Sequence, residues 1–116
     1  MVKLKSQKCY NRYYIEAMDN DTKIGRCYIE TSSTSNYLEL WSFYVDEKFR
    51  RKGIGTQMLQ KAIAYFKSFE NQYKSGRSLV LYVYKDNEHA INLYKRNGFE
   101  IIRDFRPDAY VMKYCA

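Results

Sequence analysis

Strand-like patterns and a polar turn predict a β-hairpin in the first third of the chain. Residues 12–18 and 23–31 each have the composition of a strand, and they flank the cluster Asp19-Asn20-Asp21, whose side chains favour turns. A polar loop is predicted over residues 31–36. Residues 1–11 have room for one short strand ahead of the hairpin.

The clearest strand pattern in the chain covers residues 37–45. Because side chains alternate across a strand, strict alternation would put Leu38, Leu40, Ser42 and Tyr44 on one face. The other face would then carry Tyr37, Glu39, Trp41, Phe43 and Val45.

Two amphipathic helices are predicted from apolar residues that recur at helical spacing. The first covers 53–69, and its apolar stripe consists of Ile54, Met58, Leu59, Ala62, Ile63 and Phe66. The second covers 87–96, and its inner side consists of Ala90, Ile91, Leu93 and Tyr94. Asn97-Gly98 then supplies a helix stop.

The remaining segments complete an α+β pattern in one domain spanning 1–116. A polar connector over 71–78 leads into a nearly continuous apolar strand at 79–84, as expected for a strand covered on both faces. Two further strands at 99–104 and 109–114 are joined by a turn at 106–108. The strand–helix–strand unit from 37 to 84 is long enough for a right-handed crossover. We therefore expect a mixed sheet with a parallel pair inside it and helices packed on it.

Composition and charge exclude several classes of protein. With 46% hydrophobic and 17% aromatic residues the chain can build a core, so disorder is not expected. No apolar run is long enough to span a bilayer and no signal peptide is recognised, so no membrane partner is expected. Three widely spaced cysteines and one histidine argue against a disulfide framework, a metal site or a Ser-His-Asp triad. Reduced thiols in a cytoplasmic protein are the expectation.

The segment Arg50-Arg51-Lys52-Gly53-Ile54-Gly55-Thr56 lies between the 37–45 strand and the first helix, and its chemistry suits an anion. Two glycines let the backbone approach a ligand closely, and the first N–H groups of a helix have no internal partners. The helix dipole and three consecutive basic side chains favour a pyrophosphate there. The segment matches neither the dinucleotide fingerprint nor the Walker loop. The alternative is a glycine turn with solvated charges.

Two motifs in the right order resemble the GNAT superfamily of acetyltransferases. The strand at 37–45 followed by Arg50-x-x-Gly53-x-Gly55 is similar to the acetyl-CoA-binding segment of that family. A second stretch resembles its other conserved segment, from Leu81-x-Val83 through Asn87 and Tyr94 to Gly98-Phe99. Together they cover residues 37–105. The resemblance implies an N-acetyltransferase with acetyl-CoA as cosubstrate, lodged between two parallel strands that splay apart.

The resemblance also implies roles for individual residues. A bulge in the first strand would turn the Phe43 N–H toward the thioester carbonyl, and Val45 would hold the pantetheine arm. The implied cofactor-binding residues are Phe43, Val45, Arg50, Arg51, Lys52, Gly53, Ile54, Gly55, Thr56 and Asn87. For Asn87 the alternative is a helix N-cap.

Two side chains are candidates for the catalytic groups. Tyr94 matches the family's general acid near the sulfur, and Glu39 matches the general base of the histone-acetylating branch. The alternatives are a core tyrosine and a strand glutamate that faces solvent. The expected reaction is direct transfer to a primary amine, without an acyl-cysteine carrier.

The chain departs from the family before the hairpin. Family members usually carry a strand and two helices there, and residues 1–11 cannot supply the helices. Those helices normally form one wall of the acceptor site. Without them the groove is open, or a partner chain such as a second copy completes it. An open groove favours a protein lysine or N-terminus over a small molecule as acceptor.

Two other functions stay open at this point. One is a domain that binds CoA without catalysing and serves as an interaction module. The other is a small basic nucleic-acid-binding domain, for which the net charge of +7 is the only support. The absence of a recognition helix or a paired aromatic strand motif argues against nucleic acid as partner.

Overall fold

The structure, a computed structural model, describes residues 1–32 and 36–115. Residues 33–35 of the predicted polar loop lie outside the described part. The elements in chain order are β1 (Val2–Cys9), β2 (Arg12–Asp19), β3 (Thr22–Glu30), β4 (Tyr37–Val45), a 3₁₀ turn (Glu47–Phe49), α1 (Ile54–Tyr73), β5 (Ser78–Tyr84), α2 (Glu88–Arg96), β6 (Phe99–Arg106) and β7 (Ala109–Tyr114). The predicted hairpin, both helices and the strand–helix–strand unit are confirmed.

All of the strands form one seven-stranded sheet in the order β1-β2-β3-β4-β5-β7-β6. The β4–β5 pair is parallel, as the crossover predicted, and every other neighbouring pair is antiparallel. Mixed α+β architecture is therefore confirmed. The short segment before the hairpin forms β1, which joins β2 through a tight turn at Tyr10-Asn11.

Both helices contribute to one buried apolar cluster against the sheet. The central members are Ile15, Ile29, Leu38, Met58, Leu59, Leu79, Leu81, Phe99 and Met112. The buried residues of α1 match the predicted stripe, except that Phe66 is only partly buried. Residues that alternate with the core, such as Glu39, Trp41 and Tyr82, are half-buried on the opposite face of the sheet.

The prediction of strict alternation along β4 was wrong beyond Trp41. Between its paired positions Trp41 and Tyr44 the strand has two residues, Ser42 and Phe43, whereas β3 has only Cys27 between the corresponding partners. Ser42 adopts a left-handed conformation with φ of 57°. This β-bulge shifts the faces, so that Val45 is buried with the core and Tyr44 is exposed.

The first helix also continues beyond its predicted end. It runs to Tyr73 and stops at Lys74, which is left-handed with φ of 50° and whose N–H bonds the Glu70 carbonyl. The predicted connector at 71–78 is correspondingly shorter. Among the described residues, no helix is long and apolar enough to cross a membrane.

Candidate active site

A cleft opens where the two parallel strands separate. Tyr37–Leu40 of β4 pairs with Ser78–Leu81 of β5, and the ladder between these strands ends there. Beyond that point β4 stays paired to β3, and β5 stays paired to β7. The carboxyl ends of the two strands are therefore held apart by their other neighbours.

Two open cavities occupy the cleft and meet in its middle. The loop-side cavity, about 460 Å³, lies against the segment before α1 and is lined by Val45, Arg50, Arg51, Gly55 and Leu93 among others. The sheet-side cavity, about 500 Å³, is lined by Trp41, Tyr82, Phe105 and Arg106 among others. Phe43, Asn87 and Tyr94 line both cavities. The two cavities therefore share this part of the cleft wall.

The first turn of α1 has features that favour an anion. Its N-cap is Gly53, at φ of 81°, and no side chain caps the helix or places an acidic group in its first turn. The N–H groups of Ile54, Gly55 and Thr56 precede the first intrahelical bond, which Gln57 donates to the Gly53 carbonyl. These N–H groups lie at the positive end of the dipole of a 20-residue helix, so they attract negative charge.

The basic residues before α1 differ in what they contribute. The Arg50 Nε donates to the Val45 carbonyl at 2.9 Å, which ties the side chain to the end of β4 and leaves its other N–H groups available. Arg50 and Arg51 line the loop-side cavity. Lys52 instead lies with its Nζ 5.5 Å from the centre of the Phe49 ring.

Four of the predicted cofactor residues do not line the loop-side cavity: Lys52, Gly53, Ile54 and Thr56. Ile54 is buried in the core at 5% exposure, so only its backbone can serve a ligand. Gly55 does line the cavity, and an added Cβ there would lie 3.4 Å from Leu93 Cδ2 and 3.7 Å from Phe43 Cε1.

Tyr94 lies at the junction of the two cavities. It is 5% exposed, and its ring packs edge-on against Phe43 with centroids 5.7 Å apart. Burial raises the pKa of its hydroxyl well above the usual range, so the group stays protonated at neutral pH. The hydroxyl has no hydrogen-bond partner among the described residues. Because every fully buried side-chain oxygen there has a partner, this oxygen keeps some exposure, and Tyr94 lines both cavities.

Glu39 does not line either cavity but bonds two residues that do. Its carboxylate accepts from the Tyr82 hydroxyl at 2.6 Å and from Trp41 Nε1 at 3.3 Å. Burial, followed by the hydrogen bond to Glu39, raises the pKa of Tyr82 to about 12. Glu39 is thus connected to the sheet-side cavity through Tyr82.

Asn87 has the N-cap role that the sequence left open, and it also lies in the cleft. Its side-chain oxygen accepts from the Ala90 N–H at 3.3 Å, so it is the N-cap of α2. The same residue lines both cavities, and its amide nitrogen is not used in the cap.

Several lining residues were not predicted from the sequence. Tyr44, His89, Ala90 and Leu93 line the loop-side cavity, and Trp41, Tyr82, Phe105 and Arg106 line the sheet-side cavity. Alternation along β5 could have placed Tyr82 on the face opposite Leu81 and Val83, but the expectation that both faces of this strand are covered left it unnoticed. Among the described residues no cluster of three or more metal-ligating side chains occurs.

Comparisons with known proteins agree with this geometry. The family model described as Acetyltransferase (GNAT) family matches residues 3–99. An uncharacterized N-acetyltransferase of Methanocaldococcus jannaschii is 46% identical over 63 residues, covering 53% of this chain and 25% of that protein. The spermine/spermidine N(1)-acetyltransferase of Bacillus subtilis is 33% identical over 82 residues, covering 71% of this chain and 44% of that protein. The chain therefore spans less than half the length of these two relatives.

Solved structures share the fold. A PaiA N-acetyltransferase from Thermoplasma acidophilum in complex with coenzyme A superposes with a TM-score of 0.73 at 24% identity, over 91% of this chain and 62% of that one. The ribosomal-protein-S18-alanine N-acetyltransferase from Escherichia coli gives a TM-score of 0.74 at 20% identity, over 94% of this chain and 73% of that one.

Proposed function

The chain belongs to the GNAT family of acetyltransferases, and we propose that it transfers an acetyl group from acetyl-CoA directly to a primary amine of a protein, either a lysine or an N-terminus. The observation that carries the proposal is the cleft between β4 and β5, because it leads from the uncapped start of α1 to the Tyr94 hydroxyl. A cleft of this form offers an anion site at one end and a proton donor at the other.

In this proposal the loop-side cavity holds the cosubstrate. The first-turn N–H groups of α1, with Arg50 and Arg51, bind the diphosphate. The pantetheine arm lies beside Phe43–Val45, on the side of β4 that has no strand partner beyond Leu40. Acetyl-CoA supplies a thioester, whose acyl carbon an amine can attack.

The transfer forms one bond and breaks another. The neutral amine nitrogen forms a C–N bond to the acetyl carbon, the C–S bond breaks, and the sulfur leaves as a thiol after taking up a proton. The amine loses the proton that it carried as an ammonium group and one more on becoming an amide. The Phe43 N–H, at the bulge, is the proposed donor to the thioester oxygen, where negative charge develops.

Tyr94 is the proposed donor to the leaving sulfur. Its raised pKa keeps the hydroxyl protonated at neutral pH, as a donor requires. Because a thiol has a pKa of about 8.5, a hydroxyl with a raised pKa stabilises the thiolate mainly by hydrogen bonding. Solvent then restores any proton that Tyr94 gives up.

Glu39 is the proposed base, and it acts through Tyr82. The Tyr82 hydroxyl donates to Glu39, so its oxygen can accept a proton from an amine in the sheet-side cavity while its own proton moves to the carboxylate. Because the pKa of Tyr82 is raised to about 12, its hydroxyl passes the amine proton on without staying ionised, and that proton ends on Glu39 or in water.

A protein acceptor is favoured by the open approach to the cleft. Only Tyr10 and Asn11 connect β1 to β2, where family members usually carry two helices. The names of relatives cover both kinds of acceptor, since one is an N-alpha-acetyltransferase of Sulfurisphaera tokodaii and another acetylates spermine and spermidine.

Mass spectrometry of acetylated products after incubation with acetyl-CoA and a mixed set of peptides tests the proposal. Tyr94→Phe should lower kcat by about 10²- to 10⁴-fold while CoA binding is kept. Tyr73→Phe removes a hydroxyl from an exposed tyrosine outside the cleft and should change neither. CoA binding without turnover of any amine would instead indicate the inactive interaction module.

A further inference from the structure

The sheet-side cavity is lined mainly by apolar and aromatic residues, and among the described residues no carboxylate lines it. Ser42, Asn87 and Arg106 are polar members of the lining. Glu39, the carboxylate bonded to this wall, has its oxygens engaged by Tyr82 and Trp41. A polycation would therefore meet no carboxylate in the described lining itself, and would reach Glu39 only behind Tyr82 and Trp41.

An aromatic ledge forms one side of the cavity. Phe105 reaches across the sheet from β6 to Tyr82 on β5, with ring centroids 4.5 Å apart, and Tyr82 packs on Trp41 with centroids 5.0 Å apart. Phe105 is 43% exposed and Tyr84 is 55% exposed. Exposed aromatic rings beside a cleft favour an apolar side chain as the occupant.

Arg106 adds an uncompensated positive charge to that ledge. Its guanidinium carbon lies 5.2 Å from the Phe105 ring centre and 5.9 Å from the Tyr84 ring centre. Among the described residues it has no carboxylate partner, whereas the neighbouring Asp104 pairs with Lys85 at 3.0 Å. The charge is thus available to an acidic group of a bound molecule.

We infer that the acceptor is the N-terminal α-amine of a polypeptide that begins with an apolar residue and carries acidic residues directly after it. The apolar side chain rests on the Phe105–Tyr82–Trp41 ledge, the amine reaches the junction at Tyr94, and the following acidic side chains face Arg106. This rests on the proposed function, and it excludes polyamines and amines in basic segments as good acceptors.

Two readouts separate this inference from the proposed function. Trp41 is the single tryptophan of the chain, so its fluorescence reports peptide binding in the presence of CoA without requiring turnover. Acetyl transfer is followed in parallel by release of free thiol. The probes are a peptide that begins Met-Asp-Glu, the same peptide with Met-Lys-Lys, one that begins Lys-Asp-Glu, and spermidine.

The expected order places Met-Asp-Glu first in both binding and kcat/KM. Each acidic residue should contribute about a two- to fivefold preference, which weakens as salt is raised. Arg106→Glu should reverse the preference between the acidic and basic peptides, and Arg106→Gln should abolish it. Lys8→Glu, which makes the same charge change at an exposed position on β1, should leave the order unchanged.

Equal binding of the acidic and basic peptides, a preference for spermidine, or a preference that survives Arg106→Glu would overturn the inference. If the peptides bind in the expected order but none is acetylated, the inference about the bound partner stands and the proposed function fails. If amines are acetylated but the four probes do not follow the expected order of preference, the proposed function stands and the inference fails.

Discussion

The start of α1 offers a sharp test, because three glycines of the chain differ in conformation and surroundings. Gly53 has φ of 81° and open space around an added Cβ. Gly76, after α1, has φ of 73° and also open space. Gly55 is helical, and its added Cβ would make ordinary contacts with Leu93 and Phe43. Alanine substitutions at these positions should therefore have different consequences.

The expected free energies follow from backbone conformation. An L-residue in the left-handed region costs about 1–2 kcal/mol, and the loss of chain freedom in the unfolded state offsets about 0.4–1 kcal/mol of that. Gly53→Ala and Gly76→Ala should each lower the free energy of unfolding by about 1 kcal/mol, or about 4 °C in Tm. Gly55→Ala should raise it by about 0.5 kcal/mol, because alanine is the better helix former.

Coenzyme A affinity should separate the two destabilised variants. Strain at Gly53 displaces the first-turn N–H groups of α1, so Gly53→Ala should weaken CoA binding by about two- to tenfold. Gly76→Ala should leave it unchanged, since Gly76 lies beyond the other end of α1. Thermal melts followed by circular dichroism and calorimetric titration measure the two quantities. Equal CoA affinity in the Gly53 and Gly76 variants would refute the assignment of the anion to this helix end.

Three further measurements address other parts of the site. Activity should rise with pH until the acceptor amine is neutral. It should not fall again below about pH 10, because the pKa values of Tyr94 and Tyr82 are both raised and their hydroxyls stay protonated. A decrease in activity near pH 8 would contradict this. Arg51→Gln should weaken CoA binding and reduce its salt dependence, which titrations at several salt concentrations would show. Burial raises the pKa of the Cys27 thiol to about 12, so alkylation at pH 8 followed by peptide mapping should modify Cys9 and Cys115 but leave Cys27 free.

Elements with strong local signals could be predicted from the sequence. The apolar stripe of α1 placed that helix within a few residues, because burial against one sheet face requires the helical period. The Asn97-Gly98 stop ended α2 as expected, with Gly98 at φ of 97°. The position of the proposed anion site follows from the order strand, glycine-containing loop and helix, and it stays a prediction.

The bulge in β4, which the family resemblance implied, could not be predicted from alternation, because it depends on the partner strand. Ser42 gives no local sign of a left-handed conformation, yet one extra residue opposite Cys27 moves Val45 into the core. The aromatic ledge beside the sheet-side cavity was missed for a similar reason. Phe105 meets Tyr82 although β7 lies between their strands, and that contact depends on the strand order and on the register shift at Phe105 in the β6–β7 pair.

Calorimetric titration of the protein with coenzyme A, and in parallel with pantetheine, tests the central claim most directly. Coenzyme A should bind at one site per chain, and pantetheine, which has the thiol arm but no diphosphate, should bind far more weakly. Absence of binding heat with coenzyme A, or equal affinity for the two compounds, would contradict the account.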